Sequence, residues 1–374
     1  MLPPLWGSGT LFGMPADAPP ESAHRPSAPR TAGRVSRTAG YVLALVVHLL
    51  APAFLVTGVY LIAGLTVGGV LFGLVALDLA WLLRPRPAPF PAPAVPLTRS
   101  DAPHLYALID GIGEALAAPR TDLVAISGEV NASFRTYGRR RDRLVEIGYP
   151  LWLILTPEER VSLLAHEMAH ARNGDARHGL VVGSALHSLH ELRLVTHFGW
   201  RPGDGGADLI TRCLLALLGL PVRALILLLE LLLNHSSQQA EYRADEMQAQ
   251  VAGVPATASL LDVLSTRAPS VGDFLGSSAV AVGTWDLWTA LRSHLDAIPP
   301  AELDRRREAA QVEKTRVDTT HPPTHLRIRR VLALPYPTPQ VAAPAMEGIE
   351  AELERAAGRV ARSLREDAQS ARYR

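Results

Sequence analysis

Apolar residues in this chain come in blocks. From Tyr41 to Leu83 the sequence is apolar almost without a break, with His48 and Asp78 its only ionisable positions. One membrane-spanning helix needs about 20 such residues, so the run holds two, turning at Gly64 or at Gly68-Gly69. Arg34 and Arg37 precede the block, Arg84 and Arg86 follow it, and its middle carries no basic residue. The positive-inside rule therefore places both ends of this hairpin on the cytoplasmic side. Two later blocks are less pure. Segment 209–234 is strongly apolar but contains Arg223 and Glu230, and segment 179–199 contains Glu191 and Arg193.

Elsewhere the pattern is that of a folded domain. Leu105, Leu108, Ile109, Ile112 and Leu116 recur at helical spacing, while Leu123–Ser127, Asn131–Tyr137 and Leu144–Ile147 read as strands. Thr156-Pro157-Glu158-Glu159 is a helix start: Thr156 caps, Pro157 suits the first helical position, and Glu159 completes a capping box. This helix is expected to run to Asn173, with Gly174 ending it. A second one is expected to start near Ser236 or Ser237 and stop before Gly253. From Met346 onward a charged helix carries Ile349, Leu353, Val360 and Leu364 on one side. Residues 1–39, rich in Pro, Ala, Ser and Arg, read as a disordered arm, too long before the apolar block for a secretory signal. The prolines of 84–98 make a stiff linker.

Composition narrows the chemistry. Lys plus Arg (37) nearly balance Asp plus Glu (36), so no strong field points to nucleic acid as a partner. Cys213 is the only cysteine, which excludes both an internal disulfide and a thiolate metal cluster. A zinc ion would have to sit on histidine and carboxylate ligands.

His166-Glu167-Met168-Ala169-His170 supplies them on the helix just described. Residues four apart share a helix face, so both imidazoles can reach one ion, and Glu167 beside them can take a proton from a water on that ion. With 13 histidines in 374 residues, chance would supply this pattern only about 0.02 times. A catalytic zinc also needs a third protein ligand. Glu241 and Asp245, four apart on the second helix, offer a ligand and a carboxylate that accepts a hydrogen bond from a ligand histidine's other ring nitrogen. His178, His187, His190 and His197 lack such a carboxylate pattern and read as ordinary histidines. Trp285 and Trp288 read as core or interfacial anchors. Arg139-Arg140-Arg141 reads as a solvated hairpin tip able to touch anionic lipid.

Several blocks in order now resemble the HtpX-like membrane metallopeptidases of metallopeptidase family forty-eight, which also includes the CAAX prenyl proteases. Asn131-Ala132-Ser133-Phe134 is similar to that family's Asn-Ala-Phe strand, with Ser133 inserted before the phenylalanine. Ile147-Gly148, Leu155–Glu159, Ala165–His170, Asn173 and Asp175 resemble the zinc helix and its flanks, and Glu241–Asp245 the glutamate-ligand helix. Thr320-His321-Pro322-Pro323-Thr324 with Arg327-Ile328 resembles the C-terminal His-Pro motif. His325 stands where the family often has an acidic or small residue. The resemblance implies a gluzincin: a zincin-like domain, mainly α with a small antiparallel sheet, over residues 99–335. Membrane segments would be inserted at about 179–234, with a membrane hairpin at 40–83 and a charged helix in 336–374. It further implies one zinc ion on His166, His170 and Glu241, with Glu167 catalytic and His321 or Arg327 steadying the oxyanion. Asn131 and Ala132 would align an extended protein substrate.

His166 and Glu241 can share an ion only on one side of a bilayer, so the chain between them must cross an even number of times. Either 179–199 and 209–234 both cross, giving four membrane helices, or 209–234 folds back at Gly219-Leu220-Pro221. The resulting expectation is a multi-pass cell-membrane zinc endopeptidase with its active site in the cytoplasm, acting on misfolded or membrane-associated proteins. Two rivals are a regulatory protease dedicated to one partner and a catalytically silent scaffold or holdase. An intact Glu167 argues against the silent reading.

Overall fold

The computed structural model describes residues 30–173, 175–196, 205–278, 286–312 and 322–372. Its elements are α1 (Arg30–Ala63), α2 (Val67–Leu83), β1 (Val95–Leu97), α3 (Pro103–Leu116), β2 (Leu123–Ser127), β3 (Ala132–Tyr137), β4 (Asp142–Gly148), α4 (Tyr149–Ile154) and α5 (Pro157–Arg172). They continue with α6 (Asp175–Val195), α7 (Gly206–Ala252), α8 (Val254–Thr266), α9 (Ala268–Ser278), α10 (Leu287–Asp296), α11 (Pro300–Val312), α12 (Thr324–Leu332) and α13 (Glu347–Arg372).

The long apolar block folds as the expected hairpin. It turns at Gly64-Leu65-Thr66, where Leu65 takes φ 50° and the Thr66 hydroxyl accepts a hydrogen bond from the Gly69 amide at 3.0 Å. Gly58 and Gly73 let the two backbones touch: a Cβ on Gly73 would stand 2.8 Å from the Gly58 carbonyl oxygen. α1 begins at Arg30, so residues 30–39, read from composition as arm, extend this helix instead. Val35–Ala63 and Cys213–Leu232 are long and apolar enough to cross a membrane, and Val67–Leu83 is a shorter apolar helix. Leu49, Val56, Tyr60, Phe72, Leu214, Leu217 and Leu228 all point outward and exposed.

The second apolar region corrects the expected boundaries. α7 is one unbroken helix of 47 residues that passes through Pro221 and carries both the apolar stretch and Glu241. Neither a fold-back at Gly219–Pro221 nor a helix start at Ser236 occurs. α6 and α7 run antiparallel, since Thr196 lies against Gly219 and Arg223, and His190 against Glu230. The two charges of the α7 stretch face the neighbouring helix. Arg223 donates to the Thr196 carbonyl at 3.3 Å, and Glu230 stands 3.9 Å from His190. Ala44 and Val47 of α1 pack with Val182, Ala185 and Leu189 of α6 and Val222, Ile226 and Leu229 of α7.

The sheet has the order β1-β2-β4-β3, leaving β3 at an edge. It is mixed rather than wholly antiparallel. β1–β2 and β3–β4 are antiparallel, but β2 and β4 run parallel, pairing Val124 with Val145 and Ile126 with Ile147. The reason lies in the chain path: after β2 the backbone crosses to the outer edge as β3 and hairpins back between them as β4. Gly138 (φ 68°) and Arg141 (φ 58°) supply the left-handed residues of that hairpin. β1 lies within the stretch read as linker. One sheet face buries Val124, Ile126, Val145 and Ile147 against Leu105, Ile109, Ile112 and Leu116 of α3, Leu164 and Met168 of α5, and Ile349, Leu353 and Val360 of α13. Both amphipathic patterns thus meet in one core. Trp288 also packs inside, donating from its indole to the Ala357 carbonyl at 3.1 Å, whereas Trp285 lies outside the described residues.

α5 is fixed at its start by the expected box. The Glu159 amide donates to Thr156 Oγ1 at 3.3 Å, and the Thr156 amide donates to Glu159 Oε2 at 2.9 Å. Glu159 Oε1 also accepts from Ser259 of α8 at 2.6 Å. Removing the cap in Thr156→Ala should cost about 1 kcal/mol. The purified protein would show this as a melting temperature lowered by a few degrees; an unchanged melting curve would mean the cap contributes nothing.

Candidate metal centre

α5 and α7 cross so that His166 and His170 face Glu241. His166 Nε2 and His170 Nε2 stand 3.2 Å apart, Glu241 Oε1 is 3.2 Å from His170 Nε2, and Glu241 Oε2 is 3.4 Å from His166 Nε2. Donor atoms about 2.0–2.2 Å from a tetrahedral ion would stand roughly 3.3 Å from one another. The nearest donor pairs therefore have the spacing of ligands on one ion, one donor atom from each residue lies within 4.8 Å of the others, and the donor chemistry suits zinc. Among the described residues, no other group of His, Cys, Asp and Glu is close enough to share an ion.

The electrostatics also ask for a cation. Glu241 and Asp245 are buried, Glu167 stands beside them, and Arg327 is the guanidinium among them. Burial alone would favour neutral His166, yet its hydrogen bonds to Asp245 and Glu241 push its pKa up to about 9. Those carboxylates draw positive charge to the position a divalent ion would take. Burial raises the pKa of Glu167 above the ordinary carboxylate value, against the pull of the two imidazoles. Asp245 goes the other way: burial would raise it, but hydrogen bonds with Arg327 and His166 prevail and lower it.

Glu167 is half-buried and its Oε2 accepts a hydrogen bond from the Phe134 amide at 3.2 Å. That bond ties the acid to the free edge of β3, a contact no sequence pattern signalled. Asn131 is exposed just before β3, and its carbonyl accepts from the Gly148 amide at 2.8 Å. Ala132 is buried opposite Ile147. A Cβ on Gly148 would collide with the carbonyl oxygens of Glu129 and Asn131, so only glycine permits this close crossing.

The expected outer residues are placed unevenly. Asp245 Oδ1 is 3.4 Å from His166 Nδ1, but that nitrogen has a nearer partner, Gln248 Oε1, at 3.0 Å. Sequence reasoning missed Gln248, although 241, 245 and 248 follow helical spacing along one face. Arg327, expected at the oxyanion, is buried. Its Nε and Nη2 donate to Asp245 at 2.9 and 2.6 Å, and Nη2 also lies 3.2 Å from Glu241 Oε2. This geometry supports bracing of the ligand carboxylate rather than contact with substrate. His325 faces the Ala310 carbonyl at 2.9 Å, away from the centre. His321, His197 and the side chains of Asp175 and His178 lie outside the described residues.

An HExxH helix facing a glutamate helix, with an edge strand beside the glutamate of the motif, defines a zincin-like metallopeptidase of mixed α and β structure. The chain belongs to peptidase family M48, whose model matches residues 101–334. Similar curated proteins include a protein named protease HtpX homolog from Persephonella marina, 24% identical over 287 residues, covering 74% of this chain and 92% of the relative. Others of the same name come from Thermococcus sibiricus, 25% identical over 63% of this chain and 75% of the relative, and Thermococcus kodakarensis, 27% identical over 41% and 53%.

Removing the guanidinium while keeping its bulk, in Arg327→Met, leaves two buried carboxylates without their partner. The metal-free protein should lose roughly 3 kcal/mol of stability, measured by denaturant unfolding. A residue that only met substrate would leave that stability unchanged.

Proposed function

We propose that this chain is a multi-pass zinc endopeptidase of the cell membrane that cuts protein substrates on the cytoplasmic side. The observation that carries the reading is the convergence of His166, His170 and Glu241, whose nearest donor atoms stand 3.2–3.4 Å apart pair by pair, with Glu167 alongside. A zinc ion held by these three side chains would supply a Lewis acid that polarises the scissile carbonyl and acidifies water.

The remaining work falls to the chain itself. Glu167 takes the proton from the attacking water and passes it to the leaving amine, a task suited to a carboxyl whose pKa burial has raised. The Phe134 amide fixes Glu167 Oε2 so that the acid cannot turn away from the substrate edge. An extended substrate segment adds to the free edge of β3 beside Asn131 and Ala132, which makes recognition depend on backbone more than on side chains. His321 is the side chain proposed to steady the oxyanion. Arg327 holds Asp245 and Glu241 in place.

Four membrane helices fit this arrangement. α1 and α2 go out and back, then α6 goes out and α7 returns, so His170 and Glu241 stay on one side. Backbone-directed recognition without a dedicated sensing domain suits removal of misfolded or membrane-associated proteins, the quality-control role. In Glu167→Gln, zinc content should stay at one ion per chain while casein cleavage falls by about 10²–10⁴-fold. A variant that still cleaved casein at the parent rate would discard this mechanism, and a parent protein that bound no zinc would discard the cofactor.

A further inference from the structure

We infer that Gln248 sets the tautomer and orientation of His166, as the near end of a directed chain of buried hydrogen bonds. This rests on the reading of His166 as a zinc ligand and goes beyond it, because the outer carboxylate expected in that role was Asp245.

The chain starts from the Gly253 carbonyl, which can only accept. The Thr257 hydroxyl donates to it at 2.9 Å. With its proton so placed, Thr257 Oγ1 can only accept from Ser162, whose hydroxyl points to it over a longer 3.4 Å. Ser162 Oγ is then the acceptor for the Gln248 amide nitrogen, at 2.7 Å. That bond decides which way round the amide sits. Its oxygen is left facing His166 Nδ1 at 3.0 Å, and so Nδ1 must carry the proton. The lone pair is thereby confined to Nε2, the nitrogen that looks toward His170 and Glu241. Each step follows from a group that has one permitted role.

Burial makes the chain consequential. Ser162 and Thr257 are 0% exposed and Gln248 is 1% exposed, so no water competes for these groups. Three elements are stitched by it: Ser162 and His166 on α5, Gln248 on α7, and Thr257 on α8. Asp245 is the weaker candidate for the same nitrogen. It is farther away, at 3.4 Å, and both its oxygens already accept from Arg327.

Two substitutions and a control separate the possibilities. Gln248→Met keeps the volume and removes the acceptor. Gln248→Glu keeps an acceptor for Nδ1: a protonated carboxyl donates to Ser162 as the amide does, and an ionised one takes the Ser162 proton at the expense of the long 3.4 Å link to Thr257. Zinc dissociation constants would be measured by competition with a chelator on the full-length purified protein, and metal-free melting temperatures recorded beside them. Gln248→Met should bind zinc at least about tenfold more weakly than the parent, while Gln248→Glu stays within a few-fold of it. The metal-free Gln248→Met protein should melt a few degrees lower than the parent, because Ser162 Oγ and His166 Nδ1 lose a buried partner. Parent-like zinc affinity in Gln248→Met would overturn the inference. So would equal weakening in both variants, which would mark Gln248 as a packing residue. His166→Ala is the control: if it and the parent bind zinc alike, the zinc-site reading itself fails, a result distinct from failure of the Gln248 link.

Discussion

The constraint on which this structure turns is the burial of more negative than positive charge at the crossing of two helices. Glu241 and Asp245 lie within the protein, Glu167 stands at the rim of the same cluster, and Arg327 is the guanidinium paired with them. Carboxylates removed from water cost several kcal/mol each unless opposite charge or hydrogen bonds replace what water supplied. Two buried carboxylates share one guanidinium, which leaves negative charge for a cation to offset. The same carboxylates pull the His166 pKa up to about 9 despite burial. Nitrogen and oxygen donors spaced for zinc, in a pocket with an excess of negative charge, are two aspects of one design.

The scaffold answers the need to hold that crossing rigid. At ~1.5 Å per residue, α7 is about 70 Å long, so one uninterrupted rod joins the apolar stretch Cys213–Leu232 to Glu241 and Gln248. α5 is held independently, capped at Thr156, tied to α8 through Glu159 and Ser259, and packed on the sheet through Leu164 and Met168. The Phe134–Glu167 bond then joins this helix to the edge of β3. The sheet, α5 and α7 thus converge on a few ångströms of polar space.

What could be read in advance was whatever a short stretch of chain decides for itself. Helical spacing found five of the apolar core positions of α3, all but Tyr106, and Thr156 with Glu159 announced the start of α5, because capping and amphipathicity are settled within a few residues. The spacing of His166 with His170, and of Glu241 with Asp245, was legible for the same reason. Contacts between distant segments were not. Nothing local shows that β4 returns parallel to β2 rather than antiparallel. Nor could composition reveal that Arg223 and Glu230 would face α6, which lets α7 continue where those charges suggested an interruption. Arg327 is a similar case: its motif placed it near the site, but only tertiary packing shows it turned to Asp245 and Glu241.

The same reasoning explains why an amide can stand beside His166 where a carboxylate would be expected. A carboxylate at Nδ1 makes the imidazole a stronger donor to the metal, but it adds charge to a cluster already short of cations. Asp245 is near enough to lend some of that effect at 3.4 Å, yet its bidentate pairing with Arg327 keeps its charge compensated. Gln248 provides the closer acceptor without another negative charge. Its own orientation costs little, because Ser162 and Thr257 are already placed by the helices that carry them. Dividing the work in this way lets one residue balance charge and another fix geometry. A single aspartate serving both would have to leave Arg327 in order to face the histidine squarely.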